Sequence, residues 1–422
     1  MRINHFVRIG QALSVMTAGL ALAACSNILD VQFPGRIPAD QLNDPTLAAV
    51  LARSVVSDLE CAYNNYTGAG AAHSDEFEAS NSNVPGRNWG ERTISADDDD
   101  YVTGECGLNS YFGMHTTLQT ARLQAEDISG RLAGWTDAQV PGRASLIATV
   151  KTYNGFPYLF MGESFCAVAF DKGAIQPPTA ALVLAETKFT EAVAAAQAAG
   201  NTDMLNLARV GLARTKLDLK KYAEAASVAA QVPVGYLKNA DRGTETSRRY
   251  NKMYYYFTSN AFHTIAQAYR PGGAASDPRT KVFDTGHGSF NPPIRSWQTS
   301  KYAALNSPIR LASGVEARLI QAEGLAETGN VAGAMALVNA GRAGDSLPPL
   351  AAGSTAAAVT IILKERQAVL AFEGGHRLND LLRRNLPWKG AQGSTKISNE
   401  FTGDLYGTTT CWPTPTKEKN GA

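Results

Sequence analysis

The chain has 422 residues, 44% of them hydrophobic, which is enough to bury a large core. Its 39 basic and 38 acidic side chains leave a formal net charge of +1, so no global field favours nucleic acid or an acidic membrane. We therefore expect no nucleic-acid partner. The length allows two or three domains, but no strong change in composition follows residue 40, and we predict a single domain over residues 41–422.

The first 25 residues predict an export signal. Arg2 and Arg8 precede an apolar stretch over residues 12–24, which ends in small residues directly before Cys25. A basic region, a short apolar region and a small-residue cleavage site are typical of an exported precursor. The pattern resembles a bacterial lipoprotein signal peptide over residues 1–24, with lipid attached to Cys25 and a tether over residues 25–40. The alternative is an ordinary secretory signal in which Cys25 is incidental.

Four further cysteines indicate disulfides. In an oxidising compartment, Cys61, Cys106, Cys166 and Cys411 suit two bridges, and three pairings stay open. Cys61 with Cys106 is the most local choice. Zinc is disfavoured because no two cysteines have C-x-x-C spacing. The acidic run at residues 97–100 lacks the glycine and closing glutamate of an EF-hand, so a solvated loop is the better interpretation, and we expect no cofactor.

The chain after the tether predicts one helix followed by a loop region. Apolar residues recur at helical spacing from Asp44-Pro45 to about Tyr63. Residues 64–110 are rich in Gly, Asn, Ser and Asp and are predicted to be irregular, with a candidate ligand-binding role. Sugar recognition needs flat aromatic faces and planar polar groups. The candidates are Trp89 and Tyr101 as platforms, with Asp75, Asn81 and Arg92 as hydrogen-bonding groups. The alternative is that the aromatic rings are core residues and the polar ones are solvated.

Helical periodicity then dominates. We predict helices near residues 110–132, 137–162, 179–199, 203–218 and 221–231. Residues 207–233 resemble a tetratricopeptide repeat, in which two helices with small residues pack closely, and residues 315–343 repeat the pattern. We assign repeat helices to 137–231 and 312–342. Ordinary helical hairpins are the alternative for each unit.

Aromatic residues, proline and glycine interrupt this rhythm over residues 232–310. One or two helices near 249–269 and long loops are expected there. Trp297 and the run Tyr254, Tyr255 and Tyr256 are second-choice platforms for a sugar. Residues 386–422 are expected to form a mostly irregular tail around Trp388 and Trp412.

The segment ERQAVLAFEGGHRLNDLLR, residues 365–383, carries the sharpest resemblance. It resembles the C-terminal signature of the SusD/RagB family of outer-membrane nutrient-uptake lipoproteins, within signature helices predicted over 356–385. The matching residues are Glu365, Arg366, Leu370, Ala371, Phe372, Glu373, Gly374, Arg377, Asp380, Leu381 and Arg383. Two positions depart from the pattern: Val369 stands where a second glutamate is common, and Gly375 resembles an insertion.

Physically, this signature suggests a helix junction with paired charges. Glu373 with Arg377, and Asp380 with Arg384, have the i, i+4 spacing of helical ion pairs. A catalytic alternative would have Glu365 and Glu373 converge across a cleft as an acid/base pair. The nearby arginines favour structural ions instead.

The family resemblance implies an all-α, SusD-like fold with tetratricopeptide-like repeats and no catalytic activity. It also implies a lipid-anchored protein on the exterior face of the outer membrane. Such a protein passes an oligomeric nutrient, most often a glycan, to a SusC-like TonB-dependent transporter. A peptide cargo stays open. The alternative functions are a scaffold lipoprotein for envelope assembly and a membrane-anchored hydrolase.

Overall fold

The computed structural model describes residues 39–81, 84–290, 294–394 and 405–419. The predicted signal peptide, Cys25 and most of the tether lie outside these residues. The chain divides into two compact units, 1–44 and 45–422. The first contributes only the 3₁₀ helix Ala39–Asn43 to the described residues. The second unit carries everything discussed below.

The second unit is mostly helical, which confirms the predicted all-α class. The α-helices of the described residues are α1 Ala48–His73, α2 Val84–Glu91, α3 Asp99–Thr103, α4 His115–Gly134, α5 Arg143–Ser164, α6 Pro178–Ala198, α7 Thr202–Asp218, α8 Tyr222–Ala229, α9 Gly314–Glu327, α10 Val331–Gly344, α11 Thr355–Val369, α12 His376–Arg383 and α13 Thr416–Lys419. The strands are β1 Phe77–Ala79, β2 Leu237–Ala240, β3 His263–Ile265, β4 Val282–Gly288, β5 Arg295–Thr299 and β6 Ile309–Ser313. They form three two-stranded antiparallel sheets, which pair β1 with β3, β2 with β6 and β4 with β5.

Helix α1 corrects the predicted loop region. It continues ten residues beyond Tyr63, and residues 74–110 then hold β1, α2 and α3, so the stretch 64–110 is far more regular than predicted. The polar composition of residues 64–110 wrongly predicted a loop, because polar side chains of α1 are hydrogen-bonded to neighbouring backbone rather than to water. Asn64 donates from Nδ2 to the carbonyl of Tyr250 at 2.8 Å, and Asn65 does so to that of Gly113 at 2.7 Å. These bonds satisfy buried amides within a helix.

Helices α5 to α11 form a stack in which each helix packs against the next. Small residues set the close approach. The Phe189 ring on α6 lies where a side chain on Gly155 of α5 or Gly211 of α7 would collide with it, at 2.6 and 2.3 Å from the added Cβ. Glycine is therefore required at both positions, because the backbone itself lies against the ring.

The stack leaves out residues 230–313, which we call the excursion. Helix α8 ends just before it, yet packs on α9, which begins just after it. Strands β2 and β6 bring the two ends of the excursion together, and the Gly314 amide donates to the Tyr236 carbonyl at 2.8 Å. The helices flanking the excursion thus behave as sequence neighbours.

The excursion is not helical near 249–269 in the way that was predicted. Met253–Ser259 is π-helical, and β3 follows it. Ala261 has φ of +48°, a left-handed conformation that stops the helix, and β3 then pairs with β1. Propensity for helix is overridden here by long-range strand pairing.

Two disulfides join Cys61 with Cys106 and Cys166 with Cys411. The first is the most local of the pairings that the sequence left open. The second connects the end of α5 to the C-terminal tail. Apart from α13, the described part of that tail is irregular as predicted. Trp412 is fully buried, and its ring packs edge-on against those of Tyr66 and Phe165.

Candidate functional site

Trp89 and Tyr101, the two predicted platforms, lie in the core. Their exposed fractions are 1% and 0%, so neither ring offers a face to a sugar. Trp89 packs edge-on against Tyr101, Phe112 and Trp412, and the Tyr101 hydroxyl donates to the Pro413 carbonyl at 2.6 Å. The assignment of these rings to ligand is corrected to the packing alternative. Apolar burial of large rings outweighs exposure wherever the fold can provide it.

Asn81 and Arg92 are also buried and are satisfied by protein. Asn81 donates from Nδ2 to the Phe262 carbonyl. Arg92 donates to the carbonyls of Lys389 and Gly390 at 2.6 and 2.8 Å. Its guanidinium also lies over the Tyr406 ring at 4.9 Å. Both side chains therefore fix distant segments of backbone, and their predicted role toward ligand is corrected accordingly.

Asp75 pairs with an arginine of the signature. The Arg377 guanidinium forms a two-pronged ion pair with its carboxylate, at 2.7 and 2.6 Å. The pKa of Arg377 is raised: burial alone would lower it, but the hydrogen bond and charge of Asp75 outweigh that effect. Asp75 thus links the segment before β1 to α12, and its carboxylate is already engaged by Arg377.

The signature forms a junction of buried charges, but not through the two predicted pairs. Phe372, Gly374 and Gly375 all have positive φ, which separates Glu373 from the helix that carries Arg377. Observed partners are Lys301 and Arg310 for Glu373, Arg366 and Arg383 for Asp380, and Glu323 and Glu327 for Arg384. Glu365 is held by Arg279 and Arg342. Each glutamate of the catalytic alternative is therefore bound by two cations.

A cleft of about 290 Å³ brings together two regions that the sequence had singled out separately. We call it the tyrosine cleft. It joins the second half of the predicted ligand region to the tyrosine run of the excursion. Its lining residues are Pro85, Asp100, Leu108, Asn109, Tyr111, Tyr255, Tyr256 and Phe262.

The π-helical segment determines which rings face this cleft. A π-helix is rare and is frequently found at functional sites, because its wider turn re-aims side chains. Here it leaves Tyr254 and Tyr255 half-buried while Tyr256 is buried. The Tyr256 ring stacks on Tyr111 at 4.2 Å between ring centres, and Phe262 is half-buried beside the exposed Phe290. The rim of the cleft is thus aromatic, and its floor is formed by buried, stacked rings.

Polar groups complete the tyrosine cleft. Burial and the neighbouring Asp98 raise the pKa of Asp100, while the backbone amide of Tyr111 and Lys252 act in the opposite direction. Asn109 is exposed. Behind the cleft, the buried Lys252 donates to the carbonyls of Ser110 and Tyr111 at 2.9 Å each, and burial lowers its pKa to about 7. The cleft therefore offers ring faces beside a carboxylate and an amide, the combination that sugar hydroxyls and C–H faces require.

Sequence reasoning missed Phe262, Leu108 and Asn109 as lining residues. The sequence signal is weak because Phe262 is far in sequence from Leu108 and Asn109, and these residues meet only where the excursion packs on the α3–α4 segment. Tyr255 and Tyr256 were among the second choices, whereas Trp297 lies elsewhere, under the Arg270 guanidinium at 5.8 Å.

A second surface cleft, of about 490 Å³, lies around Trp388. Asp75, Glu78, Gln267 and Lys389 contribute to its walls. Trp388 is half-buried, with His73 packed edge-on against its ring at 5.7 Å. We call it the Trp388 cleft. It has one aromatic ring where the tyrosine cleft has several.

The acidic run has a structural role. Asp98 caps α3 by accepting a hydrogen bond from the Tyr101 amide at 3.0 Å. Among the described residues, no group of three or more His, Cys, Asp or Glu side chains is arranged to hold a metal ion. None of the helices in the described ranges is both long and apolar enough to cross a membrane.

Solved structures with a similar fold identify this architecture. A SusD superfamily protein from Bacteroides vulgatus superposes with a TM-score of 0.68 at 14% identity, over 89% of this chain and 97% of that one. The chain has the SusD-like fold. A SusD-like carbohydrate-binding protein from the same species gives a TM-score of 0.60 at 13% identity, over 83% and 86% of the two chains. A laminarin-binding SusD-like protein gives 0.57 at 17%, over 89% and 97%.

No protein-family model and no curated protein matches the sequence. The SusD-like likeness is therefore one of fold. It confirms the SusD-like fold that the resemblance of residues 365–383 implied.

Proposed function

We propose that this protein captures an oligosaccharide in the tyrosine cleft. The observation that carries the proposal is the pair of half-buried rings, Tyr255 and Phe262, set beside Asp100 and Asn109 over the buried, stacked rings of Tyr111 and Tyr256. Two solved structures with the same fold are described as carbohydrate-binding and laminarin-binding. Their similarity supports a glycan as the ligand class.

We further propose that binding is followed by delivery rather than by chemistry. In this proposal the protein is anchored by lipid on Cys25 to the exterior face of the outer membrane. There it serves a SusC-like TonB-dependent transporter. The signal-like first 25 residues and the SusD-like fold support this arrangement. The ion pairs that engage Glu365 and Glu373 support a non-catalytic role.

Binding can be tested by titrating the full-length chain in detergent with laminari-, cello- and malto-oligosaccharides. Tyr255→Ala with Phe262→Ala should weaken the best ligand about tenfold or more, because truncating an aromatic anchor costs more than about 1 kcal/mol. Trp135→Ala, which removes a half-buried ring outside the cleft, should leave affinity unchanged.

Trp388→Ala separates the two clefts. Unchanged affinity supports the tyrosine cleft, whereas loss of binding only in Trp388→Ala would move the site to the Trp388 cleft. If no oligosaccharide binds the wild-type chain, glycan capture itself is wrong.

Anchoring is tested independently with Cys25→Ala. The variant should bind sugar in vitro like wild type, but should be released from outer-membrane fractions and should reduce uptake by cells. Co-purification of a TonB-dependent transporter with the wild-type protein would support delivery. Unchanged membrane fractionation of the variant would contradict the lipid anchor.

A further inference from the structure

A larger cleft, of about 660 Å³, lies between the excursion and the helical stack. Its walls come from β2, β6, α9, α10 and the segments around them. We call it the basic cleft, because its charged lining residues are five cations and two carboxylates: Arg279, Lys281, Lys301, Arg310, Arg318, Asp345 and Glu373.

Both carboxylates in this cleft are already engaged. Lys301 lies 3.0 Å from Glu373, and Arg310 lies 3.3 Å from it. Asp345 is 3.6 Å from Arg279. Glu365, behind the cleft wall, also binds Arg279, at 2.6 Å. The carboxylates in and behind the cleft therefore form ion pairs with three of its five cations, Arg279, Lys301 and Arg310.

Lys281 and Arg318 have no carboxylate within ion-pair distance in the described part of the chain. The Nε of Arg318 is buried and lacks a hydrogen-bond partner there. Its guanidinium lies close against α10, which is possible because residue 341 is glycine: a Cβ at this position would come within 2.4 Å of Nη2. Lys281 is exposed and has φ of +55°, the left-handed region that a lysine rarely adopts.

Arg310 is paired with Glu373, but it is the most exposed of the three paired cations, so its remaining N–H donors face the cleft. Its side chain is 34% exposed, against 12% for Arg279 and 11% for Lys301. A concave surface with one excess sign of charge focuses the electrostatic field and attracts the opposite charge. Guanidinium groups bind planar or tetrahedral oxyanions through parallel hydrogen bonds.

We propose that the basic cleft binds carboxylate or sulfate groups of an acidic oligosaccharide. This inference rests on the proposed function only in taking a saccharide as the carrier of the anion. Arg318 and Arg310 donate to the oxyanion, and Lys281 contributes charge at the rim. Neutral sugars gain nothing from this cleft.

The experiment uses the full-length chain in detergent and three probes: an oligogalacturonate for carboxylate, a chondroitin sulfate oligosaccharide for sulfate, and cellohexaose as the neutral reference. Lys281→Gln with Arg318→Gln should weaken the better acidic probe about tenfold or more, because charge-assisted hydrogen bonds are lost. Cellohexaose affinity should not change.

Lys172→Gln with Arg209→Gln is the matched control. Lys172 is also an exposed lysine with positive φ, and Arg209 also has a buried, unbonded Nε, but neither lines the basic cleft. This control should bind all three probes like wild type, and thermal melts of both double variants should match wild type.

The outcomes separate the two proposals. Equal affinity of both double variants for the acidic probes overturns the basic-cleft assignment. Binding of neutral sugars that depends on Tyr255, with no binding of either acidic probe, overturns it too and leaves glycan capture standing. If no probe binds at all, both proposals are wrong.

Discussion

The helical stack and the signature junction differ in the interactions that stabilise them. In the stack, Phe189 fills the space that Gly155 and Gly211 leave, and these contacts are apolar. At the junction, buried charges from segments far apart in sequence neutralise one another, as Arg366 and Arg383 do with Asp380. Where the stack meets the signature, Arg214 of α7 forms a similar buried pair with Glu163 of α5 at 2.5 Å, and it also donates to the Gly374 carbonyl at 3.0 Å.

This difference indicates which substitutions should destabilise each region. Apolar contacts weaken gradually when their volume changes, because neighbours can shift. A buried ion pair fails steeply when one partner is removed, because the other charge is left without solvent or counter-ion. Substitutions at matched positions should therefore separate the two regions.

Asp380→Ala should have the largest effect. Asp380 is 1% exposed, and its removal leaves the buried Arg366 without its ion-pair partner, while Arg383 keeps Glu323. We expect a loss of about 3–5 kcal/mol in the free energy of unfolding, measured by urea denaturation.

Asp137→Ala is the control for that variant. Its carboxylate pairs with Arg143, but its side chain is 79% exposed, so the loss should lie within about 0–1 kcal/mol. Similar losses for the two variants would contradict the view that buried charges hold the junction.

Gly211→Ala should have an intermediate effect on the stack. The added Cβ would lie 2.3 Å from the Phe189 ring, and this overpacking should cost about 1–3 kcal/mol. Gly130→Ala, also inside a helix but with nothing near its Cβ, should instead stabilise by about 0.5–1 kcal/mol. Thermal melting of the pair measures both; the same sign of change in each would refute the close-approach argument.

Glu76→Gln should change how the stability of the protein depends on pH. Burial raises the pKa of Glu76 to about 8 from its ordinary 4.5, so the folded protein favours the protonated acid. Its contribution to stability is complete below pH 4.5 and is lost as pH rises through 8, at up to about 1.4 kcal/mol per pH unit. The glutamine side chain of the variant does not titrate, and its amide oxygen keeps an acceptor for the Phe372 amide. Relative to this variant, wild type should therefore lose stability between about pH 5 and pH 8, measured by urea denaturation across that range. Parallel stability curves would contradict this assignment.

Helices and signature were predictable because their information is local. The apolar stripe of α7 defines a helix within one segment, and the structure shows that Asn201 caps it by accepting from the Met204 amide at 3.1 Å. The family signature likewise occupies consecutive residues. Ion partners were not predictable, because Asp75 and Arg377 are 302 positions apart and only the fold brings them together.

The candidate site was predictable only as two separate regions. Composition marked residues 64–110 and the tyrosine run, but it could not distinguish rings that face a cleft from rings that fill the core. Trp89 and Tyr255 are both aromatic residues near polar ones. Their burial differs because α2 lies over the core while the π-helical segment lies at its edge.

The closure of the excursion by β2 and β6 has an evolutionary consequence. Because its two ends meet at one point, residues 241–308 can lengthen, shorten or be exchanged without moving α8 away from α9. Tyr255 and Phe262 of the tyrosine cleft, and Lys281 of the basic cleft, belong to this replaceable part, whereas Arg279 and Lys301 within it are tied to Glu365 and Glu373 of the signature. Ligand preference can thus diversify in this protein while the helices that support it stay unchanged.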